Sequence, residues 1–342
     1  MDENGSAQVA LAAEFEEHRP RLNAVAYRML GSLSESEDAV QEAWFRLSRT
    51  VAGPGTGTVP GAGTGTGTGA GTEAGTESGG AASGQVQNLG GWLTTVVGRI
   101  CLDLLRSRQS RREDSLDASL QTFGETHIPD PIVTRVDAVD PEQEVLLADS
   151  VGLALLVVLE TLAPAERLAF VLHDMFAVPF DEIAPVVERS PAATRQLASR
   201  ARRRVQGSTP TAETDVAKQR EVVEAWMAAT RTGDFDALLE LLDPGVVLRA
   251  DTGELSSGLS KVVRGAAVVA GQAKMFARVA ADQYLVLVNG LPGLVALPGG
   301  EAVSLGSFTV VDGKIVEINI IADRERLKEL DLPVLGDFRH RP

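Results

Sequence analysis

Residues 188–205 read "ERSPAATRQLASRARRRV", which places six arginines and no acid between Arg189 and Arg204 in a 342-residue chain of formal charge -15. Positive charge concentrated against that background has a local purpose. Just upstream, residues 179–187 read "PFDEIAPVV". A short apolar helix, a tight turn at "ERS" and a second helix make the pattern of a helix-turn-helix. Ser190 is the expected cap, and Pro191 the first helical residue, where a missing N–H costs nothing. Ile183, Val186 and Val187 are expected to pack against Leu197 and Ala201. Arg195, Gln196, Ser199 and Arg200 then lie near the start and middle of the second helix, within reach of base edges. Arginine and glutamine suit two-pronged readout of guanine and adenine. Arg202, Arg203 and Arg204 are expected at phosphates.

The acidic net charge argues against indiscriminate adhesion to nucleic acid, because phosphate binding at useful salt needs local cations. It fits a protein that touches DNA in one set geometry. A single cysteine, Cys101, excludes an internal disulfide, and four scattered histidines (His18, His127, His173, His340) offer no zinc spacing. No metal and no cofactor are expected. The longest uncharged apolar run, "VGLALLVVL" at 151–159, is about half the length of a membrane helix. The N-terminus is acidic where a secretory signal would be basic. The expectation is a cytoplasmic protein with no membrane contact.

Residues 53–84 are a Gly/Thr-rich tract with almost nothing to bury, expected to be a flexible loop. Helical patterns flank it. Phe15, Leu22, Val25, Ala26, Met29 and Leu30 recur at helical spacing, and "SESEDAVQEAWFRLSR" (34–49) opens with serine and acids as a helix start should. After the tract, "NLGGWLTTVVGRICLDLLRSRQSRRED" (88–114) places Trp92, Val96, Val97, Ile100, Leu104 and Leu105 on an apolar face and ends with Arg106, Arg108, Arg111 and Arg112. These segments make one all-α unit at 7–114. A polar linker follows at 115–141, carrying "HIPDPIV", whose prolines interrupt a helix. The helix-turn-helix closes a second all-α unit at 142–206. From 215 to 330 the pattern becomes α+β: two amphipathic helices separated at Gly233, then strand-like runs "VVLRAD", "YLVLVNG", "AVSLGSFTVV" and "KIVEINIIA". Asp312-Gly313 between the last two signals a tight hairpin in a mostly antiparallel sheet.

These motifs together resemble the extracytoplasmic-function sigma factors, bacterial transcription initiation factors, over nearly the whole chain. "EDAVQEAWFRL" (37–47) is similar to the region 2 helix that docks on the β′ subunit of RNA polymerase; the resemblance assigns that contact to Asp38, Gln41 and Glu42. Residues 90–114 resemble the part of region 2 that melts the promoter and captures the minus-ten element. Opening DNA needs cations and a stacking platform, and Trp92, Arg99, Arg106, Arg108, Arg111 and Arg112 are the candidates. Residues 142–206 resemble region 4, whose helix-turn-helix reads the minus-thirty-five element. Local arginines then read DNA while core RNA polymerase, through its β′ and β subunits, supplies the rest of the affinity. The Gly/Thr tract falls in a loop that shapes minus-ten recognition in the family, so it is expected to alter promoter choice.

The C-terminal unit resembles the SnoaL-like, NTF2-fold domains of sigma-J-type factors, a cone of curved sheet closed by helices. In that group the extension tunes sigma activity in cis, so no separate anti-sigma protein is required. Asp251 and Gly253 of "ADTGELSSG", with Asp323 and Leu327 of "ADRERL", stand where the group carries its regulatory motifs, though the full motifs are absent. A small-molecule ligand in the C-terminal pocket is left open. Two alternatives stand beside this reading. One is a ligand-responsive helix-turn-helix regulator that binds its site without polymerase; the other is an isomerase-like enzyme fused to a DNA-binding module, for which Asp251, Asp282, Asp323 and Tyr284 are the only acid-base candidates. The favoured reading is a binding protein, not an enzyme.

Overall fold

The computed structural model describes residues 3–52, 88–114, 127–136, 152–208, 215–253, 261–275, 282–330 and 332. The Gly/Thr tract at 53–84 and most of the linker lie outside the described residues.

Three helices build the first unit: α1 (Glu3–Leu30), α2 (Leu33–Ala52) and α3 (Leu89–Asp114). The apolar stripe of α1 is buried as its spacing predicts, from Phe15 through Leu22, Val25, Ala26 and Met29 to Leu30. On α3 the buried face is rotated from the sequence expectation. Leu93, Val97, Ile100, Cys101, Leu102 and Leu105 are buried, Trp92 and Val96 are half-buried, and Leu104 is exposed. The reason is that α3 packs on two sides at once, against α1 and α2 and also against the second unit, so its buried arc is wider than one amphipathic stripe.

The second unit comprises α4 (Leu153–Glu160), α5 (Pro164–Phe170), a π-helical turn (Val171–Met175), α6 (Phe180–Val187) and α7 (Pro191–Ser208). Helices α6 and α7 are the helix-turn-helix. Ser190 caps α7 as expected: its Oγ accepts from the Ala193 amide at 3.2 Å. Glu188 makes the turn in the left-handed region, at φ 56°. Ile183, Val187 and Ala201 are fully buried, while Leu197 is half-buried. Thr194 and Ala198 complete the buried face of α7; such small side chains let it sit close to α5.

The C-terminal unit is α+β. Helices α8 (Val216–Thr232) and α9 (Phe235–Leu241) are capped by Asp215 and Asp234 and separated by Gly233 at φ 68°. With α10 (Ala266–Met275) they cover one face of a sheet through Val223, Trp226, Leu238 and Val269 against Leu294, Phe308, Val310 and Ile318. The strands are β1 (Val133–Thr134), β2 (Leu242–Asp251), β3 (Lys261–Arg264), β4 (Gln283–Val288), β5 (Leu291–Ala296), β6 (Ser304–Val311) and β7 (Lys314–Ile321); a short helix α11 (Arg324–Glu329) follows. Their order is β1-β4-β5-β6-β7-β2-β3, antiparallel except for the β2–β7 pair. Asp312 and Gly313, at φ 49° and 75°, make the expected two-residue turn; Asn289 and Gly290, at 51° and 79°, make a second one.

Strand β1 belongs to the linker. Val133 pairs with Val288 and Thr134 with Leu287, so the last residue of the "HIPDPIV" segment and the one after it add a two-residue strand to the edge of the C-terminal sheet. The sheet face opposite the helices, with Val286, Val288, Val295, Leu305 and Ile321, joins the hydrophobic core of the two helical units.

Candidate nucleic-acid interface

Arg195, Gln196, Ser199, Arg200 and Arg203 are exposed on α7, and Arg202 is half-buried. Their offsets of one, four, five and eight residues put the exposed five on one helix face. The structure divides the arginines by what they touch. Arg200 Nε donates to Glu166 Oε1 at 2.8 Å, and Arg204 reaches Glu166 Oε2 and the Thr161 carbonyl, both at 3.4 Å. Arg202 Nε donates to Asp174 at 2.9 Å. These three tie α7 to α5 and the π-helical turn. Arg195, whose guanidinium lies 5.6 Å from the Phe180 ring centroid, stays on the outer face with Gln196, Ser199 and Arg203.

On α3, Trp92, Arg99 and Arg106 follow one another at seven-residue intervals along one helix face, whose arginine end is turned to solvent. Arg99 and Arg106 are exposed, and Trp92 is half-buried against the core cluster. Arg106 lies 4.0 Å from Asp103, and Arg108 pairs with Glu35 of α2, so Arg108 also fastens α3 to its neighbour. Arg111 and Arg112 fall on the last turn of α3, with side chains outside the described residues. On α2, Asp38 and Gln41 are exposed, while Glu42 is half-buried and accepts from Arg46 at 2.9 Å. Phe45 shares this stripe and is 50% exposed. Sequence reading passed over it; its signal was an aromatic at i+3 and i+7 from polar positions already singled out.

The four positions singled out in the C-terminal unit meet at one place. Asp251, at the end of β2, is buried; its Oδ2 accepts from the Ile128 amide at 3.1 Å and from Arg326 at 2.6 Å, and its Oδ1 accepts from the Gly253 amide at 3.1 Å. His127 Nδ1 lies 3.4 Å from the same carboxylate. Burial alone would raise the Asp251 pKa, but the His127 hydrogen bond, the Arg326 charge and the two amides hold it below its ordinary value. Asp323 caps α11, accepting from the amides of Glu325 and Arg326, and Leu327 is buried one turn on. Gly253, at φ +78°, lies so near that any Cβ there would overlap the Asp323 carboxylate. Arg326 binds this group to the linker, donating to the Ile128 carbonyl at 2.6 Å and to Asp130 at 2.7 Å. No sequence motif marked Arg326, because its role depends on partners about two hundred residues away.

A helix-turn-helix, a second cationic helix with an aromatic, and a regulatory-looking α+β unit clasping the linker define a multipart DNA-binding transcription factor. Comparison with known proteins narrows the class. Residues 152–205 match the family described as sigma-70, region 4, and residues 15–61 match sigma-70 region 2. The chain is 37% identical to the ECF RNA polymerase sigma factor SigJ of Mycobacterium tuberculosis (strain H37Rv), over 96% of this chain and 98% of that one. It is 32% identical to the probable ECF RNA polymerase sigma factor SigI of the same strain, over 94% and 96%. The crystal structure of M. tuberculosis SigJ superposes with a TM-score of 0.65 at 34% identity, covering 94% of this chain and 99% of that one. The chain belongs to the extracytoplasmic-function RNA polymerase sigma factors. Such factors bind core RNA polymerase and promoter DNA and start transcription, a task of binding and not of catalysis. The reading as a regulator that works without polymerase gives way to this one. Among the described residues no helix is long and apolar enough to cross a membrane.

Proposed function

We propose that the α7 face of Arg195, Gln196 and Ser199 reads base edges of the minus-thirty-five element, with Arg203 at a phosphate and with Arg200 and Arg202 sharing themselves between DNA and Glu166 or Asp174. The stripe of Trp92, Arg99 and Arg106 captures the opened minus-ten element, together with Arg108, Arg111 and Arg112 near the end of the same helix. Asp38, Gln41 and Glu42 dock on the β′ subunit, and Phe45 is the apolar anchor at their centre; region 4 addresses the β subunit. The 53–84 tract adjusts promoter choice. The factor works in the cytoplasm, where its polymerase is.

The C-terminal unit modulates this activity in cis, without a separate anti-sigma protein, by holding the linker through Asp251, Gly253, Asp323, Leu327 and Arg326. The observation that supports this reading is Arg326, which ties the linker at Ile128 and Asp130 to Asp251. Multi-round transcription with core polymerase on a promoter library tests it, comparing the full-length protein with Arg326→Met. A changed output or promoter ranking is expected. Equal output and ranking would remove the linker from the regulation.

A further inference from the structure

The arginines of the recognition helix are held in two different ways. Arg200, Arg202 and Arg204 reach the carboxylates of Glu166 and Asp174, and each N–H given to a carboxylate is withheld from DNA. Arg195 is held by a ring instead. Its guanidinium lies 5.6 Å from the ring centroid of Phe180, the first residue of α6. A cation–π contact draws on the charge of the guanidinium and leaves its N–H fork to other acceptors. An arginine steadied on an aromatic therefore keeps that fork for the O6 and N7 atoms of a guanine.

The ring is itself fixed. Phe180 is half-buried against the core cluster, and the imidazole of His173 stacks on it with centroids 3.7 Å apart and an interplanar angle of 29°. His173 takes its orientation from the π-helical turn and the loop that follows. The Ala177 amide donates to the His173 carbonyl at 3.1 Å and the Val178 amide to the Leu172 carbonyl at 2.9 Å, with Ala177 in the left-handed region at φ 57°. His173 Nδ1 then meets the Val178 carbonyl at 3.0 Å. A carbonyl only accepts, so Nδ1 carries the proton and donates it. Two residues later the chain enters α6 at Phe180. The loop thus clamps one ring on another beside an exposed arginine.

We propose that Phe180 and His173 are positioning residues for promoter reading: Phe180, braced by His173, presets the Arg195 side chain for a guanine of the minus-thirty-five element. The proposal rests on the reading of Arg195 as a base contact. An exposed arginine samples many rotamers, and ordering it on DNA costs a factor of about three to ten in affinity. Presetting removes that cost at the matched base alone, since at a mismatched base the side chain is not ordered. Phe180 therefore adds to discrimination at one base pair and not to affinity for DNA in general.

Holoenzyme titrations against promoter DNA changed one base pair at a time test this. Arg195→Ala identifies the base pair it reads; no loss of discrimination at any position would bring down the base-contact reading and the proposal with it. At that base pair Phe180→Leu, which keeps an apolar side chain, is expected to lower discrimination about threefold to tenfold, with the other positions and the salt slope unchanged. Phe180→Tyr keeps the ring and is expected to keep the discrimination. In an Arg195→Ala background Phe180→Leu is expected to add nothing. Full discrimination by Phe180→Leu, a loss spread evenly over all positions, or an equal loss in Phe180→Tyr would overturn the proposal while leaving Arg195 a reader of bases. His173→Ala is expected to lower discrimination at the same base pair, and no change there would remove His173 from the device. A second measurement uses the free full-length protein. In its proton NMR spectrum the ring current of Phe180 is expected to move the Arg195 side-chain signals upfield of those of Arg203, and coincident signals would overturn the presetting.

Discussion

Asn289 Nδ2 donates to the phenol oxygen of Tyr27 at 3.2 Å, across 262 residues of chain. The same asparagine accepts from the Ile132 amide at 3.0 Å through its Oδ1, and its own amide donates to the Ile132 carbonyl at 2.7 Å. Burial pushes the Tyr27 phenol above its ordinary pKa, so it stays protonated and keeps donating to Asp130. One side chain at a hairpin turn thus fastens the linker and the first helix to the sheet. Glycine suits the left-handed backbone of residue 289, so Asn289→Gly keeps the turn and removes only these side-chain bonds. The expected cost is about 1–3 kcal/mol from the orphaned Ile132 amide, read as a lower denaturation midpoint and faster hydrogen exchange at Ile132.

Gly253 and Asp323 form a second dependent pair. Gly253→Ala introduces an overlap and a strained positive φ, and it should destabilise the protein by about 1–3 kcal/mol. Asp323→Ala removes a helix cap at a cost of about 1 kcal/mol. In the double variant the overlap disappears, so the two costs should fall short of additivity in a double-mutant cycle. Strict additivity would show that the two residues do not touch.

On the recognition helix, Arg195→Ala and Gln196→Ala should each relax discrimination at one position of the minus-thirty-five element, by about 1–3 kcal/mol. Arg203→Ala should instead weaken binding across all sequences and reduce the salt slope by about one. Promoter-binding titrations with the holoenzyme at several salt concentrations separate the two patterns. Arg200→Ala and Arg202→Ala should lower the melting temperature as well, because they release Glu166 and Asp174.

Phe45→Ala tests the anchor on α2. Truncating an aromatic at the centre of an interface typically costs about 2 kcal/mol or more, so affinity for core polymerase should drop roughly thirtyfold. Stability should change by no more than about 0.5 kcal/mol, since half of the ring is in water. A large loss of stability with unchanged affinity would return Phe45 to the core.

Asp251 gives a pH prediction. Its pKa is held below the ordinary value of 3.8, so its carboxylate contributes stability that is fully present above that value. The contribution is lost as pH falls through the lower, folded value. The stability difference between wild type and Asp251→Asn should therefore be constant near neutrality and shrink only in acid below the ordinary value. Denaturant unfolding at a series of pH values reads it directly.

Local chemistry made much of this legible in sequence. Ser190 and Pro191 announced α7, and Asp312-Gly313 announced its hairpin, because a cap and a left-handed turn are decided within a few residues. Strand β5 was missed for an equally local reason: Pro292 and Gly293 speak against a strand. The structure shows why glycine is there, since a Cβ at residue 293 would collide with Val288 and the Gly306 carbonyl. The Asn289-Gly290 turn before it could have been read from the same signal as Asp312-Gly313. Nothing local marks the linker as a strand, the face of α3 that meets Leu168 and Leu172, or Arg326. Each is decided by a partner far along the chain.

The pairing of β1 with β4 covers an edge of the sheet. Without the linker, β4 would be an open edge, its backbone groups along Leu287 and Val288 facing water where Thr134 and Val133 now sit. An unpaired edge is a template for any extended chain, including another copy of itself. Two paired residues of the linker therefore guard the sheet against strand exchange and aggregation.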